Sequence, residues 1–393
     1  MMKKFLQKIK RSAIIKAAYK LLFIFAGMLP KKRHVVIFES FLGKQYSCNP
    51  RAIYEYLQKK YPKYECYWSI DPRYSKNFEG FQLKVLNRFS LKWLYLMARS
   101  KYWVSNSRLP IWIPKPKKTT YLQTWHGTPL KKLGIDIDEV HMPGTKTEKY
   151  KKNFQNESSR WDYLVSPNPY SSSIFPRAFG FNGTLIESGY PRNDFLLNHT
   201  TQDIETIRNK IGIPDNKKVL LYAPTWRDDE YHSVGKYKFL LQLDLEKMKK
   251  QIGEEWVIVL RLHYLVADRL DISSYGDFII DASNHTDIRE LYVIADMLMT
   301  DYSSVFFDYA ILQRPILFFV YDLQKYKDKL RGFYFDFESQ APGPLLKSTD
   351  EVLEHINKNK DDLLDGFDSN FSQQFISLED GQASRRVVDQ IFK

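Results

Sequence analysis

At 393 residues the chain exceeds what one hydrophobic core normally serves, so two domains are expected. Apolar residues make up 44% and aromatics 15%, enough for packed cores, and only Cys48 and Cys66 are present, which argues against a disulfide framework or a zinc site and fits a reducing compartment. A net charge of +13 admits nucleic acid, an anionic membrane or phosphate-rich substrates, and composition does not choose among them.

The distribution of charge is more informative. Residues 1–33 carry ten basic side chains, from Lys3, Lys4 and Lys8 to Lys31, Lys32 and Arg33, and no acidic one. Between them lie Phe5, Leu6, Ile9, Ile14, Ile15 and the run Leu21 to Leu29. That run is far short of the roughly 20 apolar residues a membrane span needs. Pro30-Lys-Lys-Arg33 stands where a signal peptide would have a small-residue cleavage site. The pattern predicts a basic amphipathic helix over 1–33 lying on the cytoplasmic face of an anionic membrane, a peripheral attachment. The plainer alternative is a helix packed on the domain.

Downstream, short apolar runs alternate with helical patterns. His34–Glu39, Tyr102–Ser105, Trp161–Val165 and Thr184–Glu187 form one set of predicted strands. Lys218–Tyr222, Trp256–Arg261, Phe278–Ile280, Asp296–Met299 and Pro315–Val320 form a second. Continuous apolar runs of this length suit fully buried parallel strands of doubly wound α/β sheets. The polar stretch Asn198–Pro214 divides the sets, which places domains at 34–200 and 201–393. Ligands are then expected at the carboxyl ends of the strands.

The candidate chemistry collects at those ends. Gln123–Gly134 follows the strand around Tyr121: Gly127 permits a tight turn, Pro129 can open a helix, and His126 stands at the mouth with Thr128, Lys131 and Lys132 nearby. A lone histidine there is more often a structural residue, but an imidazole can also take a proton from a hydroxyl at neutral pH. Arg227, Arg261 and His263 end strands of the second set, and such a cluster suits a pyrophosphate. Asp301 ends another strand, and Ser303 or Ser304 can cap the helix that follows, an arrangement that favours phosphate. Asp308 lies four residues beyond Ser304, in reach of a ribose or glycerol hydroxyl.

Taken together, Trp125–Gly134, Gly189-Tyr-Pro-Arg-Asn-Asp194, Ala223-Pro-Thr-Trp-Arg-Asp228, Arg261-Leu-His263, Thr300–Ser304, Asp308-Tyr-Ala310 and Arg331–Asp336 with Pro342-Gly-Pro344 resemble the CDP-glycerol glycerophosphotransferase family of teichoic acid synthesis. The resemblance runs from about residue 34 to the C-terminus, with the motifs in order. It implies a GT-B-like pair of Rossmann-type domains facing a cleft, with His126 as base and His263 supporting the phosphates. It also implies a CDP-glycerol site lined by Gly127, Thr128, Pro129, Leu130, Ser188, Trp226, Arg227, Arg261, Leu262, Ser303, Ser304 and Asp308.

The expected reaction moves glycerol phosphate from CDP-glycerol to a hydroxyl of a lipid-linked acceptor and releases CMP. The acceptor would be an undecaprenyl-diphosphate-linked disaccharide or a glycerol-phosphate-primed chain. Longer members of the family carry a further domain and polymerise, so the length of this chain suggests the primase, with a polymerase as the alternative. No cofactor is required by this layout. Asp228-Asp229 and Asp136-Ile-Asp138 are candidate Mg²⁺ ligands, although acidic pairs in loops are usually solvated. A nucleotide-sugar glycosyltransferase would share the fold. A nucleic-acid binder is disfavoured because the densest basic run is one terminal helix rather than a groove.

Overall fold

The structure, a computed structural model, describes residues 13–140, 145–225, 231–233, 236–237, 241–262, 271–324, 332–334, 336–358 and 369–392. They fall into two compact units. The first holds the chain up to His126, Glu148–Asp194 and the residues from Leu378 onward; the second holds Gly127–Thr147 and Phe195–Ser377.

The first unit is built on a sheet of β1 (Lys32–Glu39), β2 (Glu65–Ile70), β3 (Val85–Asn87), β4 (Ser100–Ser105), β5 (Thr120–Gln123), β6 (Tyr163–Ser166) and β7 (Thr184–Glu187), in the order β3-β2-β1-β4-β5-β6-β7. Every pairing is parallel. The second unit repeats this plan with β8 (Lys218–Ala223), β9 (Trp256–Leu260), β10 (Ile279–Asp281), β11 (Met297–Thr300), β12 (Ile316–Phe319) and β13 (Leu345–Leu346), in the order β10-β9-β8-β11-β12-β13. These pairings are parallel too. Each unit is therefore a doubly wound α/β sheet whose strand order reverses once, between β1 and β4 or between β8 and β11. All five residues of β9 are buried, as its unbroken apolar run requires.

Helix α1 (Ala13–Met28) precedes β1 and contacts α3 (Leu91–Arg99). Tyr19 and Phe23 are its buried residues, with Phe23 against Trp93 and Trp103 and Tyr19 edge-on to Trp112. The rest of its apolar surface, Leu21, Leu22, Ile24, Phe25 and Met28, is exposed. Among the described residues no helix is long and apolar enough to cross a membrane. Residues 1–12 of the expected membrane helix lie outside the described residues, and Lys32 and Arg33 belong to β1 instead.

The division expected at residue 200 falls at 194 instead, and two further segments differ. Residues 127–147 join the second unit, and the C-terminal residues return to the first. The polar stretch that divides the two sets of strands contains a helix, Thr201–Ile211, opened by a Thr200–Asp203 capping box and closed by Gly212 in the left-handed conformation. The return is made by the C-terminal helix α11 (Ala383–Ile391). Val387, Val388, Ile391 and Phe392 share a core with Ile53 and Leu57 of α2 (Cys48–Lys60). The helix has no side-chain cap of its own from Gln382; the Asp194 carboxylate accepts from the backbone N–H of Ala383 and Ser384, each at 2.8 Å.

Candidate functional site

His126 follows β5 in a turn with unusual backbone geometry. Trp125 sits at φ +49°, a left-handed conformation that a residue with a side chain adopts only when its surroundings hold it there. The expected tight turn at Gly127 is displaced by two residues. The His126 Nδ1 lies 2.7 Å from the backbone oxygen of Asn106, just past the end of β4. A carbonyl only accepts, so in neutral imidazole Nδ1 carries the proton and Nε2 is the accepting nitrogen. The ring stacks on Trp125 at 4.8 Å and meets Phe41 edge-on at 5.4 Å. Burial is the main cause that pushes its pKa down, to about 4; the Asn106 carbonyl opposes the shift and the Arg192 guanidinium adds to it. His126 is thus an unprotonated base at neutral pH.

Asn106 belongs to the same corner. Its side chain accepts from the N–H of Phe41 at 2.8 Å and donates to Ser40 Oγ at 3.2 Å, so it ties the loop after β1 to the end of β4 at the strand-order reversal. Reasoning from sequence passed over Asn106, because its contribution to His126 is a backbone oxygen. The available signal was its position directly after a predicted strand.

Gly127 to Leu130 lie in the second unit, and all four are buried. No helix opens at Pro129. The chain instead pairs with 332–334: Lys131 bridges Phe333, the Tyr334 N–H donates to the Leu130 oxygen and the Lys132 N–H donates to the Gly332 oxygen. Gly127 lies close to the serines after β11: a Cβ there would stand 2.9 Å from Ser304 Oγ. The structure therefore brings together two of the predicted motifs, the loop after His126 and the serines after β11.

The Thr300–Ser304 motif divides its work. The Thr300 hydroxyl donates to the Ala223 oxygen at 2.7 Å, and Asp301 accepts from the Thr225 N–H at 2.8 Å and from its hydroxyl. These bonds brace the end of β8 against the end of β11, at the reversal point of the second sheet. Ser303 and Ser304 are partly exposed; Ser304 heads the short helix Val305–Tyr309 without a side-chain capping bond. Asp308 in that helix is buried.

Arg261 extends from β9 and donates through Nη1 to the backbone oxygens of Ala282 and Ser283, while the Leu262 N–H donates to Ser283 Oγ. Burial lowers the Arg261 pKa. Leu262 is buried. Trp226, Arg227 and His263 lie outside the described residues, as do Asp228 and Asp229. Among the described candidates for Mg²⁺, Asp136 accepts from the Tyr334 hydroxyl and Asp138 pairs with Lys132 at 2.6 Å.

Ser188 is wholly buried, its hydroxyl donating to the Gly189 oxygen and its own oxygen accepting from Arg386 of α11. The motif Gly189–Asp194 anchors the C-terminal return. Glu379 accepts from the Tyr190 N–H and from Asn193 Nδ2, both at 3.0 Å. Gly189 has φ +77°, and a Cβ on it would lie 2.9 Å from that carboxylate.

Residues 21–393 match the family described as CDP-glycerol:poly(glycerophosphate) glycerophosphotransferase. The chain is 55% identical to a teichoic acid poly(glycerol phosphate) polymerase of Bacillus subtilis, covering 100% of this chain and 54% of that protein, so it spans about half of that relative's length. It is 54% identical to a protein of the same name from Bacillus spizizenii, with 97% of this chain and 98% of that one covered. A solved structure of the wall teichoic acid polymerase TagF matches with a TM-score of 0.89 at 42% identity, over 99% of this chain and 96% of that one. With two parallel α/β units, the motifs in order and a match over nearly its whole length, the chain belongs to the CDP-glycerol:poly(glycerophosphate) glycerophosphotransferase family.

Proposed function

We propose that this chain transfers glycerol phosphate from CDP-glycerol to a hydroxyl of a lipid-linked teichoic acid acceptor. The observation that carries the reading is the His126 tautomer, set by the Asn106 oxygen 2.7 Å from Nδ1. In the proposed step Nε2 takes the proton of the acceptor hydroxyl as its oxygen bonds to the glycerol-linked phosphorus. The phosphoanhydride bond to CMP breaks, and CMP leaves with the bonding pair. Charge then gathers on phosphate oxygens, so cationic and N–H donors supply most of the acceleration. Arg261, Ser303 and Ser304 are assigned to this task among the described residues, and Arg227 and His263 beyond them. Thr128 and Leu130 shape the wall of the same loop, and Mg²⁺ is left as an optional addition.

Length suggested a single addition, the primase reaction. A relative named as a polymerase is covered over 98% of its own length, so length does not separate the two roles. The identities of 55% and 54% to proteins named as polymerases favour repeated addition. The deciding experiment incubates purified protein with CDP-glycerol and either a lipid-diphosphate disaccharide or the same acceptor bearing one glycerol phosphate. CMP release and product mass are then measured. A ladder on the primed acceptor supports the polymerase, one added unit on the unprimed disaccharide means the primase, and no CMP from either acceptor rejects the reading.

The exposed face of α1 supports a membrane location on the cytoplasmic side. Tyr19 and Phe23 fasten the helix to its unit while Leu21, Leu22, Phe25 and Met28 face outward beside Lys20. Leu21→Gln, Leu22→Gln and Phe25→Gln combined should abolish sedimentation with anionic vesicles while leaving turnover on a soluble acceptor. Undiminished sedimentation would remove α1 as the anchor.

A further inference from the structure

The turn carrying His126 is held from outside by two residues to which no role has been given. Asn49, at the start of α2, donates through Nδ2 to the backbone oxygens of Thr124 and Trp125, at 3.2 and 3.1 Å. Its Oδ1 accepts from the N–H of Arg192 at 3.0 Å. Arg192, in turn, donates through Nη1 to the backbone oxygen of His126 at 2.9 Å. Asn49 is fully buried and Arg192 is 6% exposed. The oxygens of Thr124, Trp125 and His126 are thus all occupied by this pair, across the one residue of the turn whose φ is positive.

We infer that Asn49 and Arg192 are positioning residues for His126, holding its strained turn so that Nδ1 stays on the Asn106 oxygen and Nε2 meets the acceptor hydroxyl in one geometry. The inference rests on the reading of His126 as the base. A left-handed Trp125 relaxes toward ordinary backbone angles unless its carbonyls are held, and relaxation would swing the ring off Asn106. Local contacts share in the restraint, with Trp125 packed on Phe179 at 4.6 Å and its N–H donating to Gln123 Oε1 at 3.0 Å, but of these bonds only those from Asn49 and Arg192 tie the turn to α2 and to the segment after β7. Arg192 adds a second effect that Asn49 lacks. Among the described residues it is the charged group bearing on the imidazole, the other neighbours being the uncharged Phe41, Trp125 and Asn106. A guanidinium there disfavours the imidazolium and adds to the larger effect of burial.

Two readouts on the full chain separate these effects. In Asn49→Ala and Arg192→Met, kcat for CMP release should fall at least about tenfold while KM for CDP-glycerol stays within about threefold, the signature of lost geometry rather than lost binding. Histidine-ring NMR, with the His126 signal assigned by His126→Asn, should show the titration midpoint raised by about half a unit or more in Arg192→Met, and by less in Asn49→Ala, which carries no charge. Retention of wild-type kcat by both variants, or an unmoved midpoint in Arg192→Met, overturns the inference. If Arg192→Met fails to fold, Asn49→Ala decides on kcat, and an Arg192→Lys midpoint that stays at the wild-type value, with Arg192→Gln raising it, decides on charge. Absence of CMP release by the wild type would sink the proposed reaction, and the NMR titration would still decide whether this pair sets the state of His126.

Discussion

Removing the Asp194 carboxylate should loosen the C-terminal helix α11 and leave the rest of the first unit intact. Two backbone N–H groups at the start of that helix, from Ala383 and Ser384, have this carboxylate as their acceptor at 2.8 Å. Hydrogen bonds to a charged group contribute about 1.5–3 kcal/mol each, and a lost N-cap costs about 0.5–2 kcal/mol. Burial is the largest influence on Asp194 and pushes its pKa up, which shows that desolvation offsets part of the gain. A net cost of about 2–3 kcal/mol is therefore expected for Asp194→Ala. At 1.4 kcal/mol per factor of ten, that is a loss of roughly 30- to 150-fold in amide-exchange protection over α11. Asp194→Asn keeps one acceptor oxygen and should fall between the variant and the wild type. Hydrogen exchange read by mass spectrometry on peptides spanning 378–392 measures this directly, with peptides from β8 and β9 as an internal reference. Unchanged protection of α11 in Asp194→Ala would refute the assignment of the cap, and equal losses in α11 and β9 would refute its local character.

Three further outcomes follow from the His126 loop. Because burial holds His126 down to about 4, the base form persists through neutral pH, and the acid limb of turnover should lie near pH 4 to 5. A limb at the ordinary histidine value of about 6.5 would mean that another group titrates. The same depression makes the fold less stable as pH falls from that unfolded value toward 4, since the unfolded chain takes up the proton first. Gly127→Ala should lower thermal stability only slightly, by about 1 kcal/mol or less, because the contact at 2.9 Å is with Ser304 Oγ, the end of a side chain that can rotate away. In a Ser304→Ala background that cost should shrink by more than half, since the next contact is the Ser304 Cβ at an ordinary 3.6 Å; equal melting shifts in both backgrounds would place the strain elsewhere.

Both sheets were legible because fully buried parallel strands leave unbroken apolar runs, as in Trp256–Leu260 and Met297–Thr300. β2 and β3 were not, since Glu65 and Ser69 interrupt the apolar run of Glu65–Ile70 and Val85–Asn87 is only three residues long. The motif residues of the site were recognisable as motifs, but their division of labour was not. Asp301 reads only as the end of a strand in the sequence, yet its carboxylate braces the end of β8 through Thr225. Pro129 reads as the start of a helix, yet its segment is claimed by backbone pairing with residues more than 200 positions later. Asn49, Asn106 and Arg192 act on His126 through backbone oxygens, and periodicity carries no record of which carbonyl a side chain will find. The bonds between Asp194 and α11 span 189 and 190 positions, beyond the reach of any local pattern.

The return of α11 to the first unit also bears on how the protein is made. A ribosome completes β1 to β7 long before it reaches Ala383, so the apolar surface around Ile53, Leu57 and Tyr64 has no covering helix while residues 195–377 of the second unit are being synthesised. Closing so large a loop carries an entropic cost that grows only slowly with length, but it delays the final docking until the chain beyond 378 has emerged. During that interval the half-finished first unit offers a sticky groove to chaperones and to neighbouring nascent chains, and a stop codon anywhere before residue 383 would leave that groove open for the life of the molecule.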